Sequence, residues 1–356
     1  MPHGPELHED LSALPRLLEG LGTPLLVRDP LAWEASGAAA ALEPALSELG
    51  AVAYEGQGDS PTLEQMQRAA SFAEAEGCRV IVAVGGGTSI DTAKGAAWCL
   101  AGGALDRAPR APLLPLVAVP TTAGTGSEAT HFAVCWHEGV KHSLADERLR
   151  PKHAIVDSNL HLSLPPRLTA TTGLDALCQS LESLWARSST EASRADGARA
   201  AQLILGALEA AVTQPSPESR RLMARGAHLA GRAIDVSKTT TPHALSYALT
   251  HDHGVPHGFA VALTFGACLQ LRHERAERPA GTEEVTALLG RTPEAALANF
   301  HALLTSCSAP TRLQEVGIKE GDLEALVAAV NSERLANDTL VPTPEELRRI
   351  LWMSWV

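Results

Sequence analysis

Four groupings of residues in this sequence have the types and spacing to do chemistry. Gly85-Gly86-Gly87-Thr88-Ser89-Ile90-Asp91-Thr92-Ala93-Lys94 follows an apolar run and opens a helical stretch. Its glycines let backbone approach a ligand closely, and a helix N-terminus offers free N–H groups and partial positive charge to a pyrophosphate. The pattern is not G-x-G-x-x-G, so the usual dinucleotide fingerprint is absent. Pro120-Thr121-Thr122-Ala123-Gly124-Thr125-Gly126-Ser127-Glu128 follows a second apolar run, and its hydroxyls suit phosphate and ribose contacts. In Gly173-Leu174-Asp175-Ala176-Leu177-Cys178-Gln179, Asp175 and Gln179 stand four apart and share one helix face. His243 on a helix and His257 just past its end can converge on a metal with that pair. Each grouping also has a plain alternative: a tight turn, a Thr/Gly-rich turn, ordinary polar helix positions, or a hydrogen-bonded histidine.

The elements that must position these groups fall into two regions. Up to about residue 160, apolar β-type runs alternate with helical stretches. The runs are Pro24–Arg28, Arg79–Val84, Pro115–Val119 and His153–Asp157, and the helical stretches include 62–76 and 89–102. Unbroken apolar strands indicate a sheet covered on both faces, hence an α/β domain with a largely parallel sheet. Beyond about 163 strand-like runs vanish. Amphipathic stretches follow at 173–187, 190–213, 217–235, 239–250, 293–304, 320–331 and 344–355, an all-helical region. Ser163-Leu164-Pro165-Pro166-Arg167 reads as the junction, which divides the chain into domains 1–162 and 163–356. The polar segment 274–292 reads as a loop or short helix.

Composition excludes several classes. The 356 residues carry 29 basic and 41 acidic side chains, a net charge of −12, which disfavours nucleic acid as a partner. Hydrophobic residues make up 45% and aromatics 4%, so the core must be built from Leu, Val, Ile and Ala. The six cysteines show no C-x-x-C spacing, which points to reduced, buried thiols. With no apolar signal core and no run long enough to span a bilayer, a soluble cytoplasmic protein without a membrane partner is expected.

Together the motifs resemble the iron-containing (group III) alcohol dehydrogenase family over nearly the whole chain. The matching stretches are 85–94, with Thr88 where serine is usual, 120–128 without a break, 173–177, and the Pro256-His257-Gly258 motif with the preceding His243. The tail, with Glu315-Val316-Gly317-Ile318 and Pro344-Glu345-Glu346-Leu347, is similar too. The resemblance implies the dehydroquinate synthase-like fold of that family, an α/β nucleotide-binding domain followed by a helical one. It implies a nicotinamide cofactor and a divalent metal, Fe²⁺ before Zn²⁺, held by Asp175, Gln179, His243 and His257. It places Gly86, Gly87, Thr88, Ser89, Asp91, Thr121, Thr122, Thr125 and Ser127 at the cofactor, with Lys141 nearby as a catalytic candidate. Asp29 would read the adenine ribose, and a carboxylate there favours NAD(H) over NADP(H), although Arg28 beside it pulls the other way. The family usually forms dimers.

Two positions depart from the family pattern. Gln179 stands where histidine is usual, and an amide oxygen is the weaker ligand for either metal. Tyr247 stands where a second histidine often serves in proton relay, so a phenol is the candidate here. The runs Leu174–Trp185 and Thr239–Thr250 resemble a subgroup that reduces phosphonoacetaldehyde to 2-hydroxyethylphosphonate in phosphonate biosynthesis. A small anionic aldehyde needs donors, and Lys238, Thr239 and His253 are candidates, with helix capping as the alternative for the first two. Two other readings keep the same fold: a metal- and nicotinamide-dependent cyclase or lyase without net redox chemistry, and a non-catalytic binding protein.

Overall fold

In the computed structural model, which describes residues 4–56, 58 and 60–356, contacts divide the chain into two compact units, Met1–Leu164 and Pro165–Val356. Among the described residues the first unit carries eight strands: β1 (Glu6–His8), β2 (Pro24–Arg28), β3 (Val52–Glu55), β4 (Val80–Gly85), β5 (Leu116–Pro120), β6 (Phe132–His137), β7 (Val140–Ala145) and β8 (His153–Ile155). Six of them form one sheet in the order β1-β8-β5-β4-β2-β3, and every pairing in it is parallel. The unbroken apolar character of β4 and β5 has the expected cause, since all their residues are buried. Alternate side chains feed two separate clusters. Val80, Val82, Val84, Val117 and Val119 pack with Trp33 and Leu42. Ile81, Ala83, Leu116 and Ala118 pack with Ile90, Ala93 and Ala97 of the helix Gly87–Leu100.

The chain leaves β2 for β3 on one side and then returns to build β4 on the other. The carboxyl ends of β2 and β4 therefore flank a topological switch point, the place where open α/β sheets bind ligands. The hairpin β6–β7 stands apart as an antiparallel pair joined by Glu138-Gly139, both at positive φ. This hairpin, β1 and β3 were not legible as strands: their polar, short or alternating patterns lack the continuous apolar signal of the central strands.

The second unit is helical. Five of its helices, Pro166–Trp185, Pro217–Ser237, Thr241–His251, Pro293–Ser306 and Pro344–Trp355, carry proline at the first or second position, where its missing N–H costs nothing. The stretch 190–213 is two helices, Glu191–Leu205 and Leu208–Thr213, separated at Gly206-Ala207. His257 does not trail a helix but begins another, His257–His273, whose near-uniform apolarity hid its helical period. The segment 274–292 contains the helix Thr282–Leu289. Among the described residues no helix is long and apolar enough to cross a membrane.

Candidate functional site

In the second unit the helix Pro166–Trp185 sets Asp175, Gln179 and Glu182 along one buried face. Asp175, His243 and His257 offer ligand atoms that all lie within 4.8 Å of one another. His243 Nε2 is 3.2 Å from Asp175 Oδ1, and His257 Nε2 is 3.9 Å from the same oxygen. The orientation of each imidazole is fixed from behind. His243 Nδ1 lies 2.6 Å from Glu182 Oε1, and His257 Nδ1 lies 3.5 Å from Thr250 Oγ1. Both Nε2 atoms are thereby turned toward the aspartate. A ligating histidine whose other nitrogen donates to a carboxylate is the arrangement that raises ligand basicity and locks the tautomer. Burial by itself pushes the His243 imidazole down, but Glu182 and Asp175 outweigh it and hold the ring up at about 10.

Gln179 completes the group in an informative way. Its Nε2 donates to Asp175 Oδ2 at 3.1 Å, while its Oε1 is buried and makes no hydrogen bond. A buried amide oxygen left without a donor is costly, and a cation beside it would remove the cost. Two imidazoles, a carboxylate and an amide oxygen form a donor set that suits Fe²⁺ or Zn²⁺, so these residues fit a divalent metal. Gly258 explains how His257 reaches the cluster. A Cβ at Gly258 would overlap the Thr171 carbonyl oxygen and lie 3.1 Å from the Asp175 Cβ, so only glycine lets the two helices approach this closely.

Glu182 lay within a quoted motif but had no assigned role, and its spacing three beyond Gln179 was the available signal. It also accepts from Thr240 N at 2.7 Å and Thr240 Oγ1 at 2.8 Å. Thr241 Oγ1 donates to Asp338 Oδ2 at 2.6 Å, and Arg272 Nη1 pairs with Asp338 Oδ1 at 2.5 Å. The start of the His243 helix is thus held by buried carboxylates.

In the first unit the two glycine-containing loops pack together. Thr122 lies beside Gly86, and a Cβ on Gly87 would come within 2.7 Å of Thr125 Oγ1. The helix Gly87–Leu100 begins at Gly86, which makes no side-chain cap hydrogen bond. Thr121 Oγ1 is buried without a hydrogen-bond partner. An uncapped helix start and an orphaned hydroxyl at a switch point fit a pyrophosphate. Asp29 follows β2 near Gly85, and its Oδ1 caps the next helix by accepting from Ala32 N at 2.7 Å. Thr88 and Ser89 lie in the first turn of the loop's helix, Ser89 against Gly85. Lys141 pairs across the hairpin with Trp136, and its charge acts on Asp91.

Several of the expected contact residues also have partners within the chain. The Ser127 hydroxyl donates to Asp91 Oδ1, and Asp91 Oδ2 accepts from Val134 N at 2.9 Å. Burial raises the Asp91 carboxyl, opposed by Lys94 and these hydrogen bonds. Lys94 is fully buried and donates to the carbonyls of Ser127, Thr130 and Phe132 at 2.6–2.8 Å. These groups build the 120–128 loop. Lys238 is not a lone cation at a helix start, because its Nζ pairs with Glu333 Oε1 at 3.0 Å. Thr239 is buried and its carbonyl accepts from Asn337 Nδ2 at 3.0 Å. His253 is exposed in the turn after the helix Thr241–His251 and lines, with Arg167 and Glu315, a cavity of 480 Å³.

The iron-containing alcohol dehydrogenase model matches residues 7–158, and the model for the C-terminal part of Fe-containing alcohol dehydrogenases matches 169–353. The chain belongs to the iron-containing alcohol dehydrogenase family. This family pairs a nicotinamide dinucleotide with a divalent metal in oxidoreductase chemistry, and the two fitted sites agree with it. Over 259 residues the chain is 38% identical to the phosphonoacetaldehyde reductase of Streptomyces viridochromogenes. That match covers 64% of this chain and 65% of the relative, less than two thirds of its length. Choline dehydrogenase of Bacillus subtilis is 31% identical over 369 residues, covering 98% of this chain and 89% of that one. The solved structure of sulfoacetaldehyde reductase from Bifidobacterium kashiwanohense in complex with NAD⁺ superposes with a TM-score of 0.88 at 28% identity, covering 99% and 96% of the two chains.

Proposed function

We propose that this family member reduces a two-carbon aldehyde bearing an oxyanion group on its second carbon, phosphonoacetaldehyde foremost, to the corresponding alcohol with NAD(P)H. The carrying observation is the Asp175–His243–His257 cluster with the buried Gln179 oxygen that makes no hydrogen bond. The balanced reaction takes aldehyde, NAD(P)H and a proton to alcohol and NAD(P)⁺. When bound, the metal supplies Lewis acidity at the carbonyl oxygen and the reduced nicotinamide supplies the hydride. Asp175, Gln179, His243 and His257 would hold the metal, and Glu182 keeps His243 in the orientation and tautomer that ligation needs. The 85–89 and 120–125 loops hold the dinucleotide phosphates. Cytoplasmic location and a homodimer belong to the same proposal, by analogy with the family.

The phosphonoacetaldehyde and sulfoacetaldehyde of the relatives' names share one feature, an acidic oxyanion group one carbon from the carbonyl. Arg334 is the cation placed to meet it. The Tyr247 ring stacks on His257, with centroids 6.3 Å apart and planes 22° apart. Arg334 Nε donates to the Tyr247 oxygen at 3.4 Å. Arg334 Nη1 is buried without a hydrogen bond, and the Glu333 carboxylate is 3.7 Å away. A guanidinium offers paired donors to such an oxyanion. The line from His257 through Tyr247 to Arg334 leads from the metal cluster to that cation. Tyr247, whose hydroxyl accepts in this contact, is the candidate proton donor to the product oxygen.

Steady-state kinetics of metal-loaded enzyme with phosphonoacetaldehyde, propanal and choline, using both NAD(H) and NADP(H), test the reading. Arg334→Gln is expected to raise KM for phosphonoacetaldehyde by about 10²-fold, the size of a lost charged hydrogen-bond pair, and to leave propanal within about twofold. Lys238→Ala, with Glu333 as its partner, should have the smaller effect. Equal turnover of propanal and phosphonoacetaldehyde by the wild type, or preferred oxidation of choline, overturns the anionic substrate.

A further inference from the structure

A second convergence of ligand-type side chains lies in the first unit and belongs to neither fitted site. Strand β1 is the edge of the parallel sheet, only three residues long, and pairs with β8 in the register Glu6↔His153 and His8↔Ile155. Glu6 and His8, two apart on a strand, point to one face, and the pairing sets His153 opposite Glu6. His8 Nε2 is 3.3 Å from His153 Nδ1. Glu6 Oε1 is 3.7 Å from His8 Nε2, and Glu6 Oε2 is 3.4 Å from His153 Nδ1. The two imidazoles are nearly buried, with side chains 12% and 11% exposed, whereas the Glu6 side chain is 67% exposed.

These separations carry the argument. Ligands about 2.1 Å from a tetrahedral zinc ion stand about 3.4 Å from one another. The three separations bracket that value. A hydrogen bond between the imidazoles accounts for one contact, but not for a carboxylate facing both ring nitrogens at the same spacing. The exposed side of Glu6 leaves room for a water as fourth ligand.

We propose that Glu6, His8 and His153 form a second divalent-metal site, structural in role and suited to zinc, that fastens the edge strand β1 to β8. Its ligands come from positions 145 residues apart in the chain, so the ion ties the start of the described chain to the last strand of the sheet. Short edge strands held by few ladder bonds open readily, and a metal crosslink acts directly on that opening. The site has no part in hydride transfer and stands whether or not the proposed substrate is correct.

The test uses the full chain, stripped with a chelator and titrated with Zn²⁺ against a chromogenic competitor. Wild type should take two equivalents per chain. His8→Ala should lose one while aldehyde reduction stays unchanged, and Glu6→Gln should weaken that equivalent by at least about tenfold. His243→Ala should lose the other equivalent and keep the first. Hydrogen exchange gives an independent readout: zinc should slow the amides of β1 in wild type and in His243→Ala but not in His8→Ala. Unchanged stoichiometry in His8→Ala, or β1 exchange indifferent to zinc, overturns the site. Loss of no equivalent in His243→Ala would instead count against the catalytic cluster.

Discussion

Lys94 and Asp91 in the first unit are as buried as Asp175, His243 and Glu182 in the second, yet the two sets use their charge differently. Lys94 spends its donors on Ser127, Thr130 and Phe132, and Asp91 spends its oxygens on Ser127 and Val134. Those charges are consumed in shaping a loop, and what remains for a ligand is a helix start without a side-chain cap and the Thr121 hydroxyl. In the second unit Glu182 and Thr250 occupy the rear nitrogens of two histidines. The Nε2 atoms, the Asp175 carboxylate and the Gln179 oxygen are left to converge. A dinucleotide phosphate is held by many weak dipoles on a rigid loop, while a metal needs a few strong donors whose orientation is enforced from behind.

If that contrast is right, changes in the first unit cost stability and changes in the second cost metal. The largest expected effect is Lys94→Met, which removes a fully buried ammonium and strands Asp91 and three carbonyls. About 3–5 kcal/mol of stability should go, read as a lower denaturant midpoint, with little change in metal content of the folded protein. Loss of metal without loss of stability would break the comparison. Next is Glu182→Gln, which keeps the shape but weakens the hold on His243. Metal affinity should fall by about 10–100-fold, measured by chelator competition. An unchanged affinity would show that Glu182 serves only the Thr240 turn. The smallest is Gln179→His, which replaces an amide oxygen with imidazole and should tighten metal binding by roughly tenfold. A weaker site in that variant would mean that the Gln179–Asp175 hydrogen bond matters more than the ligand type.

Legibility followed the range of the interactions. The central strands were readable because a sheet covered on both faces demands continuous apolar residues, and Val80–Gly85 meets that demand locally. Asp175 and Gln179 were readable as a pair because helix geometry alone places i and i+4 together. The bond between Asp91 and Ser127 was not readable, because a motif gives residue types and spacing, not which way they face. Their contact spans 36 positions and the packing of two loops. The Lys238 ion pair was hidden for the same reason: Glu333, which pairs with it, is 95 residues away.

The sequence by itself determined the α/β and helical halves, the two glycine-containing loops and the candidate metal ligands, because periodicity, turn chemistry and i,i+4 spacing act within a few residues. Only the tertiary structure decided that Glu182 backs His243, that Gly258 lets His257 reach Asp175, that Arg334 reaches the Tyr247 hydroxyl while Lys238 pairs with Glu333, and that Glu6 and His8 meet His153 at the sheet edge. Each of those depends on helix approach or strand register between distant segments, and no local pattern encodes the distance between two elements that have not yet packed.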